Sequence, residues 1–256
     1  MTIFRNILKH ASALICAATF ALPAAALDIE AMSDAERAAF RAEIRAYLLD
    51  NPEVLMEAIG VLEQREQATQ SATDVEMAVA YVDQLHNDGY SWQGGNPDGD
   101  ITIVEFMDYR CGYCRRAFTE VEELVATDGN IRIILKEFPI LGEQSVLASK
   151  FAIAVQQLFG EDAYKDVHDA LMVLRADITP ASLTRLADAF GLNAPQILDH
   201  MESPAVAGVI ASNRALGDRL QITGTPTFVM QDQMLRGYVP LDSMISIVAD
   251  LRSNQG

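Results

Sequence analysis

Between residues 33 and 86, apolar side chains recur at every third or fourth position, the period of helices that bury one stripe. Ser33-Asp-Ala-Glu36 makes a capping box, and Phe40, Ile44, Tyr47 and Leu48 follow on one face. Asn51-Pro52-Glu53 restarts the pattern with an N-cap, a proline suited to a first helical position and an early acid. Its stripe is Leu55, Ala58, Ile59 and Leu62. Thr73-Asp-Val-Glu76 is a further capping box and predicts a third helix carrying Val75, Ala78, Val79, Val82 and Leu85. These stripes are too short and too interrupted for a sustained coiled coil. So much helix ahead of any strand exceeds what one sheet domain needs as cover. Residues 27–90 are therefore expected to form a protruding oligomerisation segment, the alternative being helices that pack on the domain that follows.

The pattern then changes. Gly89 to Asp100 is rich in Gly, Asn, Pro and Asp, which predicts a loop and a domain boundary. Ile101 to Met107 is a β-branched and aromatic run that reads as a buried strand. Alternation places Ile101, Ile103, Glu105 and Met107 on one of its faces. Asp108 to Arg110 make a brief link, and a helix opens at Cys111 with Ala117, Phe118, Val121, Leu124 and Val125 as its apolar positions. Ile131 to Phe138 is a second β-rich run, ended by Pro139, and the strand–helix–strand order predicts a parallel pair. From Gly142 to about Asp218 the pattern is helical, with starts at Thr179-Pro180, Asn193-Ala-Pro195 and Ser203-Pro204 and stops at Gly160 and Gly191. The sheet resumes at Thr227 to Gln231 and Met234 to Arg236, and a last helix spans about Leu241 to Leu251. The expectation is an α/β domain over 91–256 with a helical insertion at about 142–218.

Composition adds little to this, and charge more. At 256 residues, half of them hydrophobic and 21% charged, the chain is ordinary for a globular protein. A formal charge of −17 argues against nucleic acid and against anionic membrane surfaces as partners. The N-terminus follows a separate logic. Arg5 and Lys9 form a positive region, Ala11 to Leu22 an apolar one, and Ala24-Ala25-Ala26 a small-residue cleavage site. Residues 1–26 are expected to be a secretory signal peptide that delivers the protein to the periplasm. Cys16 follows Ile15 rather than the small residue that a lipidated cysteine would require. No apolar run approaches the roughly 20 residues that span a bilayer.

Removing the signal leaves Cys111 and Cys114 as the only cysteines, in a compartment where disulfides persist. A cysteine at a helix start meets unsatisfied N–H groups and the positive end of the helix dipole, and both favour thiolate. Cys111 is expected to be the exposed nucleophile and Cys114, one turn in, the buried sulfur that resolves a mixed disulfide. Zinc would need two more ligands, yet His86, His168 and His200 stand alone, so no metal site is assigned. Tyr113 brings no positive charge to the pair, so the poise is expected between the extremes of redox-active cysteine pairs, about −270 and about −120 mV, and less oxidising than the latter. Arg110, Arg115 and Arg116 flank the pair and read as a solvated helix edge. Glu105, desolvated mid-strand, should have a raised pKa and exchange a proton with Cys114.

The runs IVEFMDYRCGYC, ILKEFPILG and TGTPTF, in this order around a helical insertion, resemble the DsbA-like branch of thioredoxin-fold proteins. The helical leader with NPEVLMEA resembles the ScsC or Com1-like members of that branch. The resemblance implies a thioredoxin fold with an inserted helical domain and thiol:disulfide oxidoreductase activity outside the cytoplasm. It also implies an oligomer assembled by the leader. Thr225-Pro226 matches the family's cis-proline loop, which would bind an extended substrate strand by β-augmentation, with Gly112 and Tyr113 alongside. Glu105 and Lys136 match the buried acid and nearby lysine found beneath the cysteines of relatives. No cofactor is implied beyond the Cys111–Cys114 disulfide itself. Expected partners are exported cysteine-containing proteins, a DsbB-like or DsbD-like membrane protein and further copies of this chain. An oligomeric isomerase or reductase is the leading expectation. A DsbA-like oxidase and a copper(I)-binding tolerance protein are the alternatives.

Overall fold

A computed structural model describes residues 31–254, so the expected signal peptide at 1–26 lies outside the described residues. Two compact units divide the chain, residues 1–61 and 62–256. Within the first, helix α1 (Asp34–Asp50) starts with the expected capping box at Ser33 and Glu36. It ends where the amide of Asn51 bonds to the carbonyl of Tyr47. Phe40, Ile44, Tyr47, Leu55 and Ile59 of this unit are all exposed.

Helix α2 (Glu53–Ala80) runs unbroken through the expected third helix start. Thr73 caps nothing and donates instead to the carbonyl of Thr69 at 3.0 Å. Glu63 to Thr69 hold no glycine or proline and several strong helix formers, so nothing stops the helix before a third one begins. The break comes at Tyr81, ahead of the short helix α3 (Val82–His86).

The sheet has five strands in the order β1 (Trp92–Gly95), β3 (Ile131–Glu137), β2 (Ile101–Met107), β4 (Thr227–Met230) and β5 (Gln233–Arg236). β2 and β3 are parallel, as expected, and the other pairings are antiparallel. All seven residues of β2 are buried, because helices cover both faces of the sheet. On one face Ile101, Ile103 and Met107 pack with Val121 and Leu124 of α4 (Gly112–Asp128) and with the inserted helices. That insertion comprises α5 (Glu143–Phe159), α6 (Glu161–Val173), α7 (Pro180–Ala189), α8 (Ala194–His200) and α9 (Pro204–Arg219). Its helix starts at Thr179, Asn193 and Ser203 all carry side-chain caps. α10 (Leu241–Asn254) closes the chain.

On the other face Val104, Phe106, Ile134 and Phe138 pack with Leu216 of α9, with Leu220 that caps it and with Ala78 and Leu85 from α2 and α3. Asp74 of α2 pairs with Arg236 of β5 at 2.6 Å. The sheet unit thus begins at Leu62, well ahead of the boundary at residue 90 that loop composition suggests. The stretch read as a loop, 89–100, also contains β1, whose Trp92 indole donates to the carbonyl of Glu161 at 3.2 Å.

Candidate active site

β2 delivers its last residue, Met107, to the edge of the core, and Asp108 fixes the link from there to Cys111. One carboxylate oxygen accepts from the Arg110 amide at 2.7 Å. The other accepts from the amides of Ile140 and Leu141 at 2.9 and 3.1 Å. The Asp108 carbonyl takes the Cys111 amide at 3.0 Å. Cys111, so held, is the N-cap of α4 with extended backbone (φ −76°, ψ 118°), and Cys114 lies in the first turn. Both stand as free thiols.

Cys114 is fully enclosed, as expected for the sulfur one turn in. Cys111 departs from the expectation of an exposed sulfur: only 7% of the residue is accessible. The Thr225 loop covers it, and its thiol donates to the Thr225 carbonyl at 3.1 Å. The Thr225-Pro226 peptide is cis. Gly112 and Tyr113 are exposed beside it, and Tyr113 stacks on Tyr238 with ring centroids 6.3 Å apart.

The electrostatics of the two sulfurs diverge. A hydrogen bond from Cys114, outweighing the cost of burial, brings Cys111 down to a pKa of about 5, helped by the Thr225 side chain and by the backbone amides of Cys114 and Tyr113. Cys114 moves far up, first through burial, then through its bond to Cys111 and the nearby charge of Glu105. Glu105 rises to about 8 because it is buried, with Glu122 and Cys111 adding repulsion. Its Oε1 has no hydrogen-bond partner among the described residues. A thiolate-prone sulfur, a proton-holding sulfur and a proton-holding carboxyl therefore lie together on one face of β2. Such a set can run an exchange in which one sulfur attacks and the other follows after losing its proton.

Lys136 does not belong to this set, which corrects the expectation of a lysine beneath the cysteines. The parallel register places it opposite Phe106, so it points to the other face of the sheet from Glu105. There its ammonium donates to the Gln84 carbonyl at 2.8 Å and pairs with the Asp88 carboxylate. Burial pushes Asp88 up, but the bonds from Lys136 and Ser91 outweigh it and hold the carboxyl below its ordinary value.

A neighbouring polar cluster escaped sequence reasoning altogether. Tyr109 and Tyr164 each donate to Oε1 of buried Glu137 at 2.8 Å, and the Tyr109 hydroxyl lies 3.0 Å from Nδ1 of His168. Burial lifts Glu137 to about 7 and drops His168 to about 3. The four residues lie far apart in the chain, and the one available signal was a glutamate at the end of a mostly apolar strand.

Fold and site together are those of a thiol–disulfide oxidoreductase. The chain belongs to the DsbA-like thioredoxin domain family, whose model matches residues 102–249. The model of the copper resistance protein ScsC N-terminal domain matches residues 36–69. Among solved structures, a thioredoxin-like oxidoreductase from Silicibacter pomeroyi is 40% identical, with a TM-score of 0.63, covering 67% of this chain and 97% of that one. Proteus mirabilis ScsC in a transitional conformation is 28% identical, with a TM-score of 0.62, covering 86% and 97%. The Bacillus subtilis disulfide bond formation protein D is 24% identical over 59% of this chain and 72% of its own length. The sodium/proton antiporter NhaA 3 of Salinispora tropica is 27% identical over 60% of this chain but only 24% of its own length. This chain thus spans about a quarter of that curated relative, and the likeness does not carry transport over to it.

Proposed function

We propose that this protein is a periplasmic thiol:disulfide oxidoreductase that works as an oligomeric isomerase or reductase through Cys111 and Cys114. The observation that carries the reading is a Cys111 thiol lowered to about 5 at a helix start, next to a Cys114 thiol raised by burial. The Cys111 thiolate attacks a substrate disulfide: one substrate sulfur joins Cys111 and the other leaves as a thiol. Cys114, giving up its proton, then attacks Cys111, releases the second substrate thiol and closes the Cys111–Cys114 disulfide. When a different thiol of the substrate attacks the mixed disulfide instead, it joins the sulfur held by Cys111 in a new pairing, and Cys111 leaves as the thiolate it began as. Glu105, when ionised, is the base that takes the Cys114 proton as that sulfur attacks. Thr225 offers backbone groups to an extended substrate segment, with Pro226, Gly112 and Tyr113 as its neighbours.

Export is supported by the signal-peptide pattern of residues 1–26, and oligomerisation by the exposed apolar faces of α1 and α2 together with the family match at 36–69. In this reading residues 27–61 are the assembling segment. The same lowered Cys111 also favours the second reading, a disulfide-forming oxidase, because stabilising the thiolate stabilises the reduced pair and makes its disulfide more oxidising. Refolding of scrambled ribonuclease beside oxidation of reduced ribonuclease separates the two. Isomerase activity predicts recovery of the scrambled enzyme, lost in a variant lacking residues 27–61. Activity confined to the reduced substrate would replace the isomerase reading with the oxidase one.

A further inference from the structure

The exchange chemistry leaves the arginines around Cys111 unused. The chain is strongly acidic, with a formal charge of −17, yet Arg110, Arg115 and Arg116 surround the cysteine pair. Arg175, exposed in the segment after α6, approaches from another element. Burial, then Arg110 and Arg175, make the Arg115 guanidinium harder to keep charged, and the Asp108 carboxylate offsets only part of this. Arg115 donates Nε to the Tyr109 carbonyl at 2.7 Å, while its Nη2 is buried with no hydrogen-bond partner among the described residues.

The carboxylates of the neighbourhood are already engaged. Asp108 accepts three backbone amides, from Arg110, Ile140 and Leu141. Glu120 accepts from the Tyr238 hydroxyl at 2.6 Å and the Leu241 amide at 2.8 Å. Glu122 takes Lys165 at 3.2 Å, and Asp177, itself 77% exposed, meets Arg110 only at 4.0 Å. Arg116 rests on the ring of Tyr238, 4.4 Å from its centroid. Among the described residues, neither Arg115 nor Arg175 forms an ion pair. Like-charged guanidiniums brought together are relieved by a carboxylate that arrives from outside, and exposed Arg175 with part-exposed Arg110 can meet one in the two-point geometry that arginine suits.

We propose that Arg115, with Arg110 and Arg175, forms an anion subsite that selects polypeptide segments carrying an acidic side chain next to their cysteine. The proposal rests on the reading of Cys111 as the attacking sulfur. It runs against net charge, since an acidic protein should favour basic segments. At physiological ionic strength, however, charges act over about 8 Å, so most of the chain's acids are screened, and the local ones are engaged by their own partners.

The test uses the full mature protein, reduced, and short peptides whose one cysteine is a mixed disulfide with 2-thiopyridine. Attack by the Cys111 thiolate joins it to the peptide sulfur and releases thiopyridone, which is followed by absorbance. Cys114 then frees the peptide thiol and closes the disulfide, so the two electrons lost by the pair reduce the peptide disulfide. Three peptides differ only in the residue after cysteine: Glu, Gln or Lys. At about 0.15 M ionic strength the Glu peptide should react about fivefold faster than the Lys peptide, the scale of one exposed charge pair. The ratio should fall towards one in Arg115→Gln and in Arg175→Gln, the latter an exposed position where folding is not at stake. Equal rates, or a faster Lys peptide, in the unaltered protein would overturn the subsite alone. So would an equal fall in Arg219→Gln, which removes the same charge from the far side of the sheet, where Arg219 bonds Gln84. No reaction with any peptide would overturn the role of Cys111 as well.

Discussion

At the scale of single residues, two titrations with opposite signs meet beside Cys114. Cys111 is lowered to about 5, so its alkylation rate should climb through pH 5 and be flat by pH 7, as iodoacetamide kinetics will measure. The lowered value also ties stability to pH. Stability gained by the reduced form is present in full above the ordinary thiol pKa and is lost as pH falls through about 5. Glu105 behaves inversely. The folded state keeps its proton up to about 8, whereas the unfolded chain releases it near the ordinary carboxyl value, so stability falls as pH rises between the two. Glu105→Gln should therefore raise the thermal midpoint at pH 8 but not at pH 4, by an amount worth a few kcal/mol. It should also slow resolution of the mixed disulfide by Cys114 while leaving Cys111 alkylation intact. Unchanged turnover would remove Glu105 from the chemistry. Both cysteines and Glu105 were legible in the sequence because they sit within one strand–link–helix run. The shielding of Cys111 by Thr225 was not, since that contact joins residues 114 positions apart.

Among elements, the leader turned out to be divided. Its last turns, with Ala78, Leu85, Asp74 and Asp88, cover the face of the sheet away from the cysteines, and Asp88 provides the counterion for buried Lys136. Removing one partner of such a pair leaves a charge in the core. Asp88→Ala should accordingly cost about 3–5 kcal/mol in denaturant unfolding while leaving the pH dependence of Cys111 alkylation where it was. A large shift in that dependence would return Lys136 to the redox site. Periodicity located the helices here but could not say what they cover, because a stripe such as Ala78 and Leu85 looks the same against a sheet or another protomer. β1 stayed hidden for a different reason. Its sequence, Trp-Gln-Gly-Gly, is half glycine and poor in strand formers, and it pairs because Trp92 is anchored on Glu161 and Tyr164.

For the whole molecule, the consequence is where to cut. A variant that begins at Leu62 retains every residue named above in the second face of the sheet, whereas one that begins at residue 91 strips Asp88 from Lys136. The first should keep the full rate of thiol exchange and, if residues 27–61 assemble protomers, sediment as a monomer where the intact protein does not. Equal sedimentation of the two would place the assembly surface elsewhere. Asp108 carries a last consequence. Its carboxylate ties the link before Cys111 to the turn at Ile140 and Leu141, which is also the threshold of the five inserted helices. One side chain thus acts as a clasp between a chemical centre and the inserted helices. A displacement of those helices at their threshold would be passed through the clasp to the link that carries the sulfur, which makes the insertion a lever on the redox pair.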